Sequence, residues 1–580
     1  MSHASLIIDR DVPVPMRDGT VLRADVYRPA TAGRYPVILQ RTPYNKALLA
    51  GVILMLDVVR TASEGYAVVI QDTRGRYASE GAFYAFRDDI TDGYDSVEWC
   101  AAQAWSDGQV GMYGASYVGA TQWLAALSAP PHLKAIFPLI TASDYHEGWT
   151  YQGGAFALGF NASWTLARLA PDTALRLSRT QPDGSEKLGA LIGAIDRLPQ
   201  LFHHLPLTDF PLLAEAAPYF YDWLAHPDDD DYWARWNIEA QHGVVRVPAC
   251  NVGGWHDIFL GGTLRNYMGM RERGGTPQAR QGQKLVIGPW YHTLPLGNVV
   301  GDVDFGFASH SLVADLDGLH IKWFDYWLKG KPNGLLDEPP VRLFTMGANT
   351  WRTENEWPLA RTRYTTHYLH SGGQANSLGG DGLLSPDAPG SEPADVYVSD
   401  PRDPVPTRGG AVTGWPAAMP GGAFDQRPIE ERADVLVYTS PVLERDLEVT
   451  GPLSVTLYAA TSAVDTDFTA KLVDVAPDGY ARNLSDGIIR GRYRESKTRA
   501  KLLTPGEVYE YTLDLWATSN VFKAGHRIRL EIASSNFPRF DRNPQTGQGA
   551  AEAGRLEPAL QRVFHDELRP SHIVLPIIPR

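Results

Sequence analysis

The sequence predicts an α/β protein whose parallel sheet is interrupted by a helical insertion and followed by a β-rich C-terminal region. Three observations predict it. Short apolar runs, each closing in a loop, alternate with helix-like patterns near both ends of the first 352 residues; that rhythm is missing between about Tyr145 and Val245; and from Trp351 onward helical patterns give way to short β-branched segments. A chain of 580 residues is too long for one ordinary core. The expected division is an α/β core at 1–144 and 241–352, a helical cap at 145–240, and a β domain at 353–580.

Taken in order, "VPVPMRDGTVLRADVYRP" places Asp18-Gly19 between two alternating segments, which is a hairpin signal. Buried-strand runs follow in "PVILQ", "AVVIQD", "VGMYG", "LKAIFPLI", "VPACNVGGW" and "KLVIGPW". Helix-like patterns such as "DITDGYDSVEWCAAQ" and "TLRNYMGMRER" lie between them. In the insertion, "SWTLARL" and "KLGALIGAIDRL" read as helices, and the acidic run Asp228 to Asp231 is expected to open a helix and complement its dipole rather than bind a metal. Later segments such as "DVLVYTS", "LSVTLYAAT" and "RIRLEIASS" have the spacing of a sandwich or jelly roll.

Composition narrows the function. With 44% hydrophobic and 21% charged residues the chain reads as soluble and globular, and 55 Gly with 42 Pro imply many turns. A net charge of −14 opposes nucleic acid and anionic membrane as partners. No segment approaches the ~18 consecutive apolar residues of a membrane span, so a cytoplasmic location is expected. Cys100 and Cys250 are read as buried thiols. Zinc, Walker and dinucleotide motifs are absent from the sequence, so no metal or cofactor is expected.

The chemistry centres on "VGMYGASYVGATQW". Ser116 follows a predicted buried strand and precedes a predicted helix, the setting of a nucleophile elbow, although Val118 stands where the usual G-x-S-x-G has glycine and the glycine comes at Gly119. An acid and a base arrive in the order an α/β-hydrolase requires. "NVGGW" delivers His256 and Asp257, and "KLVIGPW" delivers His292, each past a strand's C-terminal end. Ser116 is thus the expected nucleophile, His292 its base and Asp257 the orienting acid. His256 is expected to stand behind the reacting groups or face solvent. The oxyanion hole is expected from the Tyr117 amide and the Tyr44 phenol, since the loop "RTPY" lacks glycines and Pro43 has no N–H.

These residues, with "RTPYNK", "VVIQDTRGRYASEG", "GGWHD", "IGPWYHT", "SAVDTDFTAKLVDV", "SSNFPRFDRN" and "SHIVLPIIPR", resemble the cocaine-esterase-like (CocE/NonD) family of serine hydrolases along nearly the whole chain. The G-x-S-Y-x-G elbow is specific to that family. The resemblance implies an α/β-hydrolase core, an inserted helical cap and a C-terminal β jelly-roll domain. It supports Tyr44 with Tyr117 as the oxyanion hole, and implies an acyl pocket lined by Trp149, Trp164 and Phe259. In "GGAVTGWPAAMPGG" the family's bulky jelly-roll residues are out of register, with Trp415 the candidate to substitute. Lys46 stands where related α-amino-acid ester hydrolases carry an acid for a substrate amine.

The expected function is cofactor-independent hydrolysis of a small-molecule carboxylic ester, with aromatic acyl groups favoured and an acyl-enzyme intermediate. An amidase, a β-lactam acylase or a dipeptidyl-peptidase-like hydrolase could use the same triad, and an idle glycan-binding protein is the rival from another class. Neither nucleic acid nor membrane is expected as a partner; homodimerisation is left open.

Overall fold

The computed structural model describes residues 5–48, 56–210, 213–549 and 551–579. Ten strands of the described residues form the first sheet: β1 (Leu6–Pro15), β2 (Val21–Pro29), β3 (Tyr35–Thr42), β4 (Ala67–Asp72), β5 (Ser106–Ala115), β6 (Leu133–Leu139), β7 (Cys250–His256), β8 (Lys284–Tyr291), β9 (Val341–Thr345) and β10 (Thr350–Glu354). Their order is β1-β2-β4-β3-β5-β6-β7-β8-β9-β10. The block from β4 to β9 is parallel, and antiparallel strands finish both edges. The Asp18-Gly19 hairpin joins β1 to β2, with the Gly19 N–H donating to Met16 O.

Both faces of this sheet are covered, which is why its central strands read as unbroken apolar runs. Val37, Leu39, Val69 and Met112 share a core with α1 (Asp89–Ala102) and α2 (Tyr117–Leu127). The alternate residues Ile38, Val68, Ile70 and Tyr113 pack with Trp323 and Phe324 of the helix Leu316–Lys329 on the other side. Period-two alternation thus sends successive side chains into different cores.

Between β6 and β7 the chain forms the expected helices. They include α3 (Leu158–Trp164), a π-helical turn at Thr165–Leu169, and helices at Ala170–Ser178, Gly184–Asp196 and Tyr219–Ala225. A small hairpin pairing Tyr151–Gln152 with Ala155–Phe156 precedes them, which the sequence did not predict. C-terminal to β10, twelve strands of the described residues form a largely antiparallel β structure, whose longest pair is Leu447–Thr461 with Tyr509–Phe522. Trp255, Leu285 and Ile287 of the first sheet share a buried core with Leu457, Leu513 and Leu530 of the second. One apolar interior therefore runs between them.

Candidate active site

Ser116 sits between β5 and α2 with φ 60° and ψ −125°, a conformation that costs a non-glycine residue about 1–3 kcal/mol. Its surroundings over-determine it. The Ser116 N–H donates to Leu139 O at 3.0 Å, while Ser116 O accepts from the Gly119 and Ala120 amides and from Thr141 Oγ1. The displaced glycine has a steric cause. A Cβ on Gly114 would lie 2.3 Å from Val118 Cγ1, so the valine methyl already fills that side of the turn; a Cβ on Gly119 would lie 2.8 Å from Thr141 Cβ.

The loops after β7 and β8 bring the acid and the base to this serine. His292 Nε2 lies 3.0 Å from Ser116 Oγ, and His292 Nδ1 lies 2.8 Å from Asp257 Oδ2. Asp257 is fully buried, and its other oxygen accepts the Phe259 N–H at 2.7 Å. This chain of contacts can move a proton from the serine to the imidazole and hold the resulting imidazolium.

Both tyrosines expected at the oxyanion hole are fixed through their phenols. Tyr44 follows β3, half-buried, and its oxygen accepts the Trp164 indole N–H at 2.9 Å. Burial pushes the Tyr44 phenol up to about 12, so it remains a proton donor at neutral pH, and its oxygen also interacts with the Ser116 hydroxyl. Tyr117 opens α2, where a backbone N–H has no partner within its own helix. Its phenol, completely buried, accepts the Phe86 N–H at 2.8 Å and donates to Asp89 at 2.6 Å. Arg41, also completely buried, lies 3.2 Å from the same carboxylate and belongs to the "RTPY" segment that ends in Tyr44. The sequence reading missed Asp89 and Arg41, although Arg41 stood in a motif it had quoted.

The three aromatics expected in the acyl pocket come together beside His292. Trp149 stacks on Phe259 with centroids 4.4 Å apart, Trp164 and Trp149 meet in a T-shaped contact at 5.4 Å, and the Phe259 and His292 rings lie nearly perpendicular at 5.0 Å. Residues 411–421 approach from the C-terminal half. Thr413 Oγ1 donates to His292 O at 3.3 Å, Gly414 lies against Ser163 of α3, and Gly421 lies against Tyr291. Trp415 is half-buried and packs on the cluster that contains Trp149 and Trp164.

Other expectations need placing. His256 does not face solvent: it is 1% exposed, and burial, reinforced by Arg482, pushes its pKa down to about 3. Its ring ends the strand near Phe305, with Arg482 and Asp486 of the second sheet as its charged neighbours. Lys46 is buried too, with its ammonium 2.6 Å from Asp11 and 3.2 Å from Asp25, so it neutralises the first hairpin instead of greeting substrate. Asp230 caps a short helix through the Tyr232 N–H, and no group of three or more potential metal ligands occurs among the described residues. Cys100 and Cys250 are free and buried. Among the described residues no helix is long and apolar enough to cross a membrane.

Comparison with known proteins accords with this architecture. The family described as X-Pro dipeptidyl-peptidase (S15 family) matches residues 18–294, and the X-Pro dipeptidyl-peptidase C-terminal non-catalytic domain matches residues 333–574. Cocaine esterase from Rhodococcus sp. (strain MB1 Bresler) is 42% identical, with the whole of both chains covered. An α-amino acid ester hydrolase structure aligns with a TM-score of 0.80 at 27% identity, covering 99% of this chain and 97% of the other. A CocE/NonD family hydrolase from Staphylococcus aureus shares the fold, with a TM-score of 0.70 at 18% identity over 99% of this chain and 94% of the other.

Proposed function

This chain belongs to the family of cocaine esterase and the S15 X-Pro dipeptidyl-peptidases, and from that premise we propose that Ser116, His292 and Asp257 are its catalytic triad, with Tyr44 and the Tyr117 amide as its oxyanion hole. The protein is a serine ester hydrolase with an α/β-hydrolase core. The observation that carries the residue assignment is the continuous contact from Ser116 Oγ through His292 to Asp257, at 3.0 and 2.8 Å.

In this reading His292 takes the Ser116 proton as the oxygen attacks the ester carbonyl. Charge develops on the carbonyl oxygen, where the Tyr44 hydroxyl and the Tyr117 N–H donate to it. His292 then returns the proton to the leaving alcohol. Water activated by the same imidazole releases the acid from Ser116.

The acyl half of the substrate is aromatic in this proposal, with Trp149, Trp164 and Phe259 as its pocket. Flat rings favour offset or edge-to-face contact with another ring, by about 0.5–1.5 kcal/mol beyond area burial. Lys46, engaged by Asp11 and Asp25, supports an uncharged acyl group over one carrying an amine. A benzoyl ester should therefore exceed the acetyl ester of the same alcohol in kcat/KM by at least about tenfold. Equal rates for the two esters would refute the aromatic pocket while leaving the triad standing.

A further inference from the structure

Trp164 carries a hydrogen bond that a pocket wall has no need of. We propose that Trp164 is a positioning residue of the oxyanion hole, whose indole N–H occupies the acceptor side of the Tyr44 phenol and so turns the phenolic proton toward the oxyanion. The proposal rests on the assignment of Tyr44 as an oxyanion donor. An indole N–H can only donate, whereas a phenol both donates and accepts and can rotate its proton about the C–O bond. With Trp164 Nε1 donating at 2.9 Å, one acceptor position of the Tyr44 oxygen is filled and the phenolic proton must point away from the indole. Accepting one hydrogen bond also strengthens the bond the phenol donates, by roughly 10–30%.

The backbone holds this pair in place. Trp164 is the last residue of α3 and leads into the π-helical turn Thr165–Leu169, a form that often occurs at functional sites. Arg76, fully buried, donates from Nε to Pro43 O at 2.9 Å and from Nη1 to Leu169 O at 2.8 Å. One guanidinium therefore ties the residue before Tyr44 to the end of the turn after Trp164. The donor comes from the insertion and the acceptor from the sheet, so the oxyanion hole is complete only when the two are docked.

The test uses an acetyl ester, which makes no demand on aromatic walls, and four proteins: the parent, Trp164→Phe, Tyr44→Phe and the double variant. Trp164→Phe keeps a ring but loses the N–H. Losing one neutral hydrogen bond corresponds to about a 2- to 12-fold fall in kcat, expected with KM nearly unchanged. In the Tyr44→Phe background the same substitution should change kcat by less than about twofold, because its partner is already gone. Equal losses in both backgrounds, or a rise in KM alone, would make Trp164 a wall and overturn the proposal. If Tyr44→Phe itself leaves kcat intact, the oxyanion assignment fails first and the proposal falls with it. Unchanged thermal midpoints in the variants exclude a folding defect as the cause.

Discussion

Replacing His256 with glutamine should flatten the acid limb of the stability curve without touching catalysis. The native ring is buried and neutral, with a pKa pushed down to about 3, whereas in the unfolded chain it titrates near the ordinary value of ~6.5. Between those values the unfolded chain binds a proton that the native protein refuses. The penalty is absent above ~6.5, grows as pH falls, and is complete near 3. Each unit of depression is worth about 1.4 kcal/mol, so moving from pH 7.5 to pH 5 costs the parent about 2 kcal/mol through this residue alone. Urea unfolding at the two pH values measures it: the loss in His256→Gln should be smaller than in the parent by about that amount. Equal losses would mean that the ring is not held neutral. The same variant should retain esterase activity while His292→Ala loses nearly all of it, and the reverse would exchange the two histidines.

Ser116→Ala should abolish turnover and fluorophosphonate labelling with little change in thermal midpoint; substantial residual turnover in pure protein would refute the nucleophile. Lys46→Met removes one of two cations from the buried Asp25 carboxylate, which keeps Arg10, and should destabilise by about 1.5–3 kcal/mol while leaving the benzoyl-to-acetyl ratio unchanged. A shift in that ratio would place the lysine nearer to substrate than its ion pairs imply. His565, completely buried between Glu392 and Asp395, has its pKa raised: burial opposes the charge, but the bond to Asp395 leads the opposing gains. Its stabilisation is fully present below ~6.5 and fades as pH climbs through the raised value. His565→Gln should accordingly lower the thermal midpoint more at pH 6 than at pH 9, and a pH-independent loss would exclude the charged ring.

The buried strands of the first sheet and the turn bearing Ser116 were legible from local pattern, and the proposed triad from that pattern plus sequence order. A buried parallel strand must be apolar throughout, and a loop at its C-terminal end must carry the reacting group, so Ser116, Asp257 and His292 could be picked out and are found in mutual contact. What escaped was set by packing between distant segments. His256 neighbours Asp257 in the chain, yet its ring lies near Phe305 and the Arg482 of another sheet. Lys46 lies two residues from Tyr44, yet its charge is settled by Asp11 and Asp25 some twenty or more positions away. The tryptophan at 164 was expected as an apolar wall; its one polar atom finds Tyr44 across 120 positions, which no periodicity encodes. The π-helical turn after it has no composition that separates it from an ordinary helix.

The contact between Thr413 and the His292 carbonyl makes the C-terminal half part of the seat of the proposed base. Anything that prises the two sheets apart, whether warming or a cleaved linker, also removes this support from the loop of the proposed base. Inactivation can then run ahead of unfolding. It also confines inheritance: a C-terminal half borrowed from a cousin must reproduce the seat of this one threonine-bearing segment, so the two halves can diversify only in step.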